Sequence, residues 1–202
     1  MGERAICTSA RQAKRAANVG AEAWLEMQHD RYRVQGRAVI ARCHFPVRGA
    51  PKAMYPIGPG DADFVGAARI GDRVLPVAFD LKVERHASYR LDAMPKAQGG
   101  KPEVLRQVQL LLDFWHTGGV GFLALLDPPA GELWLLGREP LTWLLEHVGQ
   151  FYQYRARHGT TWEAKGGAGV VCVREADALT LARTGIRYDW LAAVPYLITN
   201  GD

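Results

Sequence analysis

The chain has 202 residues, 48% of them hydrophobic and 23% charged, the composition of a globular protein with a core of its own, which excludes wholesale disorder. The longest apolar run, Val120 to Leu126, falls far short of the roughly 18 residues a membrane-spanning helix needs. The net charge of +4 is uneven, because residues 1–60 hold ten Lys/Arg against four Asp/Glu, whereas 61–127 and 128–202 each stand at −1.

The N-terminus, MGERAICTSARQAKR, is polar and basic and has no apolar segment of the kind that directs secretion. Ile6 stands where a myristoylation motif needs Ser or Thr, so a soluble, cytoplasmic protein is expected. Ala10 to Val34 reads as one helix of small and helix-forming residues, or as a shorter one from about Val19 capped by Asn18. Arg37 to Cys43 is a short strand, followed by the Pro- and Gly-rich loop Phe45 to Gly60. Asp63 to Ile70 and Val74 to Lys82, joined by Gly71-Asp72, form a β-hairpin, and Glu84 to Lys101 is polar and irregular. Pro102 to His116 is an amphipathic helix closed by Gly118-Gly119. Val120 to Leu126 is a buried strand that turns through Pro128 to Gly131 into Glu132 to Leu136. Pro140 to Tyr154 is a helix by its Leu/Trp spacing. In the last fifty residues the readable elements are a strand at Val170 to Val173 and a short helix at Ala176 to Arg183. This order predicts an α/β core with a mixed sheet, residues 132–202 being an elaboration of one domain that spans 1–202.

Cys7, Cys43 and Cys172 are scattered, which excludes a disulfide framework and any Cys-x-x-Cys zinc site. The six histidines never occur at His-x-x-x-His spacing, so a bound metal would be held by carboxylates, pointing to magnesium or manganese. No glycine-rich phosphate loop and no G-x-S-x-G elbow is present, so neither a nucleotide cofactor nor acyl transfer has an anchor. The basic first third suits a surface that meets phosphates.

The chemistry is concentrated in Gly60-Asp-Ala-Asp63-Phe-Val-Gly66 and Ala78-Phe-Asp80-Leu-Lys82. A hairpin turning at Gly71-Asp72 sets Asp63 and Asp80 at the same height, and Asp80 and Lys82, two apart, on one face. One reading is an Asp–Lys ion pair on an edge strand. The other is a metal site in which the two carboxylates hold one Mg²⁺ and the lysine neutralises developing charge or helps deprotonate water. The acid–x–Lys pairing one strand after a lone Asp is the pattern of the PD-(D/E)xK nucleases.

The surrounding sequence resembles the RecU-type Holliday junction resolvases of that superfamily. Asn18 to Glu22 with Tyr32 to Ile40 looks like that family's first helix and strand, and Asp63-Phe-Val-Gly66 like its Asp-Tyr-x-Gly strand. Asp80-Leu-Lys82 stands for its Glu-Ala-Lys, Gln107 for its helical glutamine, and Gly185 to Leu191 for its closing segment. The resemblance implies a restriction-endonuclease-like core, a mixed β-sheet flanked by helices, with a short stalk-like loop at 45–60 and a basic arm at 1–17. It implies catalytic roles for Glu22, Asp63, Asp80, Lys82 and Gln107. Metal ligation falls to Asp63, Asp80, the Leu81 carbonyl and Glu22, with Mg²⁺ as cofactor and Mn²⁺ as substitute. It also implies a homodimer that nicks four-way DNA junctions symmetrically, in a bacterial nucleoid or phage-infected cell.

For DNA contact the basic residues of arm and loop are the candidates: Arg11, Lys14, Arg15, Arg42, Arg48 and Lys52. Tyr55 and Phe45 are placed to stack on unpaired bases. His44 and His86 flank the proposed centre as hydrogen-bond partners. Trp134, Trp143 and Phe151 are candidates for the dimer seam. The rival readings are another PD-(D/E)xK nuclease acting in restriction, repair or phage end-processing, and a non-catalytic protein that binds branched DNA.

Overall fold

The computed structural model describes residues 20–43, 62–83, 88–90, 103–146, 153–155 and 169–199. In chain order these form α1 (20–34), β1 (Ala38–Arg42), β2 (Phe64–Ile70), β3 (Arg73–Val83) and β4 (Ser88–Arg90). Then come α2 (Glu103–His116), β5 (Val120–Asp127), β6 (Glu132–Leu136), α3 (Arg138–Glu146) and β7 (Gln153–Arg155). The chain closes with β8 (Val170–Arg174), α4 (Ala178–Thr184) and α5 (Trp190–Thr199). The main sheet runs β1-β2-β3-β5-β6-β8, and β4 pairs with β7 in a separate ribbon. All neighbours in the main sheet are antiparallel except β3 and β5, which are parallel and joined across α2. The result is the expected mixed α/β sheet.

The two faces follow from alternation along the central strands. On β5, Val120, Phe122, Ala124 and Leu126 enter one core, while Leu123 and Leu125 enter the other. The first core holds Leu25 and Tyr32 of α1 with Trp190, Leu191, Val194 and Leu197 of α5. The second holds Val108, Leu111 and Leu112 of α2 with Leu141, Trp143 and Leu144 of α3. A strand with both faces covered reads as a continuous apolar run, which is why Val120 to Leu126 carries no alternation in the sequence.

Register is fixed by an aromatic row. Phe64 pairs with Phe79 and Phe79 with Phe122, and both pairs of rings stack at 4.8 Å. Trp190 lies against the same row, 5.1 Å from Phe79 and 5.6 Å from Phe122. Gly71, with φ +59°, makes the hairpin turn that starts the β2–β3 pairing. Gly121 lets α2 lie directly on β5, since a Cβ there would stand 1.8 Å from the Leu111 carbonyl oxygen.

Three expectations change. The helix read from Pro140 to Tyr154 ends at Glu146, and Gln153–Arg155 is a strand paired with Ser88–Arg90. The Leu/Trp spacing that carried the reading stops at Leu145, and the aromatic-rich Phe151-Tyr-Gln-Tyr154 favours extended backbone. The same pairing means that the stretch 84–101 is not wholly irregular. Of the reading Ala10 to Val34, the described part, 20–34, is helical, as both alternatives have it, and 10–19 lie outside the described residues. Finally, α5 was not foreseen: Pro195 reads as a breaker, and a helix apolar all round shows no amphipathic period. β6 and β8 lie in the sheet and α5 lies under it, so these elements of the last third are part of the central structure.

His29 is buried among Tyr32, Phe64, Phe79 and Trp190, and neither ring nitrogen has a hydrogen-bond partner among the described residues. Burial pushes its pKa down to about 4 against the weaker opposing pull of Asp30. The folded chain therefore binds fewer protons than the unfolded one between about 4 and 6.5. The stability that the neutral His29 contributes is full above 6.5 and is lost as pH falls toward the folded value. His29→Leu should flatten the acid limb of a denaturation-versus-pH curve, and an unchanged limb would show that other groups set it. Gly121→Ala should destabilise by about 1–3 kcal/mol in chemical denaturation, because α2 must lift off the sheet.

Candidate active site

The β2–β3 ladder ends at Phe64 opposite Phe79, so the next residues outward, Asp63 and Asp80, face each other. Had β2 continued, its backbone would have taken the Leu81 N–H. Instead the Asp63 carboxylate accepts that N–H through Oδ2 at 2.8 Å. Asp63 is itself pinned, its carbonyl accepting the Cys43 N–H at 2.8 Å. The N–H and C=O of one strand residue point the same way, so the Leu81 carbonyl also lies on the Asp63 side of β3.

Asp80 and Lys82 share the face of Ala78, the side covered by α2. Asp80 is 1% exposed, its Oδ2 pairs with the Lys82 ammonium, and its Oδ1 is buried with no hydrogen-bond partner among the described residues. Burial raises the Asp80 pKa most; Lys82 pulls it down, and the facing Asp63 carboxylate pushes it up again, to about 8. Two facing carboxylates, one with an oxygen left over, are a repulsive arrangement that a hard divalent cation offsets.

Glu22 stands on the other side of this pair. It projects from α1 and forms an ion pair with Arg42, whose second nitrogen is 3.8 Å from Glu26 Oε2. Burial raises the Glu22 pKa first and Asp63 adds to it, while Arg42 and then Lys82 lower it. Asp63 thus acts on both carboxylates. Among the described residues no group of three or more His, Cys, Asp or Glu side chains stands close enough to hold a metal ion. The three-carboxylate centre expected from the sequence is replaced here by a pair, Asp63 and Asp80, with Glu22 drawn to a guanidinium. The pair and the Leu81 carbonyl fit Mg²⁺, which commonly keeps several waters and takes only one or two protein carboxylates.

Arg42 was expected to reach for DNA; its side chain, 19% exposed, is instead engaged with α1. The signal was available, because Glu22 and Glu26 are four apart on one helix face and Arg42 falls near the end of the first strand. Gln107 is buried on α2, among residues of the core that includes Ala78. Gln109 is exposed and donates to Asp113 at 3.0 Å, so the two glutamines do face different ways. Of the candidates for the dimer seam, Trp143 is buried in the α2–α3 core and Trp134 is half-buried, its indole N–H donating to Glu132 at 3.0 Å. Arg11, Lys14, Arg15, His44, Phe45, Arg48, Lys52, Tyr55, His86 and Phe151 lie outside the described residues.

No family model matches the sequence. No curated protein matches it either. Among solved structures the chain is similar to Hjc, a Holliday junction resolvase from the archaeal hyperthermophile Archaeoglobus fulgidus, at 17% identity and a TM-score of 0.33. That similarity covers 64% of this chain and 87% of the other. No helix among the described residues is long and apolar enough to cross a membrane.

The carboxylate pair has a signature free of any assay of activity. The folded chain keeps on Asp80 a proton that the unfolded chain sheds above 3.8, so stability is lost as pH rises toward about 8. Above 6.5 His29 is neutral in both states and does not contribute to the slope. In EDTA, thermal denaturation between 6.5 and about 8 should show a declining midpoint, and Asp80→Asn should remove the decline. A slope that survives the substitution would assign it to another group.

Proposed function

We propose that this protein is a metal-dependent, structure-selective DNA endonuclease that resolves four-way junctions. The observation that carries the reading is the meeting of Asp63 and Asp80 across the hairpin with Lys82 two residues on, at the end of the strands. Lone buried carboxylates are costly, and a second one facing the first makes the arrangement costlier still unless it serves a cation. The sequence resemblance to the RecU-type resolvases supplies the substrate. The basic first third of the chain supports it, because phosphate contacts give affinity without reading sequence.

In this reading Asp63, Asp80 and the Leu81 carbonyl hold Mg²⁺, with Mn²⁺ as substitute. When bound, the ion polarises the scissile phosphate and lowers the pKa of a coordinated water. Lys82 keeps a positive charge beside Asp80, where it offsets the negative charge that builds on the phosphate as the water attacks. Because that ammonium is already paired and largely buried, it needs no reorganisation at the moment of reaction. Gln107 orients the attacking water or Lys82 from the helix above. A four-way junction is close to two-fold symmetric, so a symmetric homodimer with one site per chain cuts two strands of like polarity.

Purified protein incubated with a labelled four-way junction and a linear duplex, in EDTA, Mg²⁺ or Mn²⁺, tests the reading. Paired symmetric nicks in the junction alone are expected. Asp63→Asn, Asp80→Asn and Lys82→Ala should each cost at least about 100-fold in cleavage rate. Lys82→Ala should leave junction affinity in Ca²⁺ within a few-fold, and Gln109→Ala should cut like the wild type. Duplex cleavage would move the protein to another branch of nuclease chemistry, and binding without cleavage in either metal would make it a junction-binding protein only.

A further inference from the structure

The Arg42 guanidinium sits among carboxylates rather than on a free surface. It pairs with Glu22 at side-chain exposures of 19% and 16% and has Glu26 at 3.8 Å, so this is a partly buried pair and not a weak surface contact. Its backbone is held: Arg42 lies opposite Phe64 in the sheet, and the following Cys43 N–H is bonded to Asp63. The long side chain is the movable part. Glu26 lies beside Arg42, and Asp63 and Lys82 act on Glu22, so among these described charges, Glu22, Glu26 and Asp63 against Arg42 and Lys82, the acids outnumber the cations. Arg42 is therefore the group that makes the cluster tolerable when neither metal nor DNA is present. A guanidinium binds carboxylate and phosphate by the same two-pronged geometry.

We infer that Arg42 is a transferable counter-ion: it holds Glu22 away from the Asp63–Asp80 pair in the free protein and passes to a DNA phosphate when Glu22 joins that pair. The inference rests on the metal-dependent reading above and adds a coupling to it. Releasing Arg42 from Glu22 costs free energy in the absence of DNA and is offset when a phosphate takes the guanidinium. Divalent-ion binding and DNA binding then strengthen each other, by equal factors, through one side chain. Arg42 is a positioning residue in the first state and a phosphate ligand in the second.

The test is Mn²⁺ binding to the full chain, read by titration calorimetry, with and without an uncleaved junction analogue. Wild type and Arg42→Ala, Arg42→Lys, Glu22→Gln and the double variant Glu22→Gln/Arg42→Ala are compared. Without DNA, Arg42→Ala should bind Mn²⁺ about fivefold or more tightly than wild type, an unusual gain for the loss of a buried ion pair. Arg42→Lys, which keeps the charge and should fold if Arg42→Ala does not, should bind Mn²⁺ within a few-fold of wild type yet show weaker enhancement by DNA. The gain should vanish in the Glu22→Gln background, which separates release of Glu22 from simple removal of a positive charge. An unchanged or weakened Mn²⁺ affinity in Arg42→Ala, or an equal gain in both backgrounds, overturns the counter-ion role while leaving the carboxylate-pair reading intact. Absence of Mn²⁺ binding to the wild type, or binding that Asp80→Asn does not reduce, overturns both.

Discussion

The stacking of Phe64 on Phe79 and of Phe79 on Phe122 is the interaction from which the site follows. Three rings at matched positions on three adjacent strands leave no freedom to slip, because a one-residue shift would turn every side chain of a strand to the opposite face. Trp190 closes the row from the helix side and ties the C-terminal segment to it. With Phe64 opposite Phe79, Asp63 has to stand opposite Asp80. The carboxylate pair is therefore imposed by the register of an apolar core rather than by any attraction between its members, which repel.

That imposition explains why the pair sits where it does along the strands. From Val77 to Phe79 the strand β3 is paired on both edges, with β2 on one side and β5 on the other. At Asp63 the β2–β3 pairing stops, and the Leu81 N–H is taken by a side chain. At this strand end a backbone position past the end of β2, the half-buried Asp63 and the buried Asp80 are turned to the same small volume. The second anchor is Gln28, buried on α1, whose amide oxygen accepts the N–H groups of Arg187 and Tyr188 while its nitrogen donates to the Tyr188 carbonyl at 2.6 Å. Arg37 holds Asp189 through both carboxylate oxygens, at 2.9 and 3.0 Å. These bonds lock α1, and with it Glu22, to the segment that delivers Trp190, so the helix and the strand end keep a fixed relation.

How much of this was legible varies with the physics of each element. The hairpin and its register could be read because Gly71-Asp72 is a local signal and alternation on both sides of it agrees. The Asp80–Lys82 face followed from period two alone. The helix α5 could not be read, since Pro195 and an all-round apolar surface erase the usual cues and only the sheet beneath makes sense of them. The end of α3 was misplaced because Leu/Trp spacing does not announce where it stops. The partner of Glu22 was missed for another reason: charge arithmetic along the chain assigns Arg42 to the basic, DNA-facing third, whereas tertiary structure sets it 20 residues away in sequence from its carboxylate. Net charge by segment describes what a surface attracts from afar. It does not say which cation is already spoken for.

That distinction bears on how the site balances opposing demands. Asp63 and Asp80 are fixed by sheet register and cannot relax away from each other, so the cost of ionising both is met by the proton that Asp80 keeps. Lys82, on the same strand as Asp80, is equally fixed. The Glu22–Arg42 pair joins α1 to β1 through long side chains, and it lies on the α1 side of the sheet while Asp80 and Lys82 lie on the α2 side. A rigid half that needs positive charge and an adjustable half that already holds one are complementary. The rigid half sets where a cation goes. The adjustable half lets the charge of the site change when a polyanion arrives, without moving the backbone that the aromatic row holds in place.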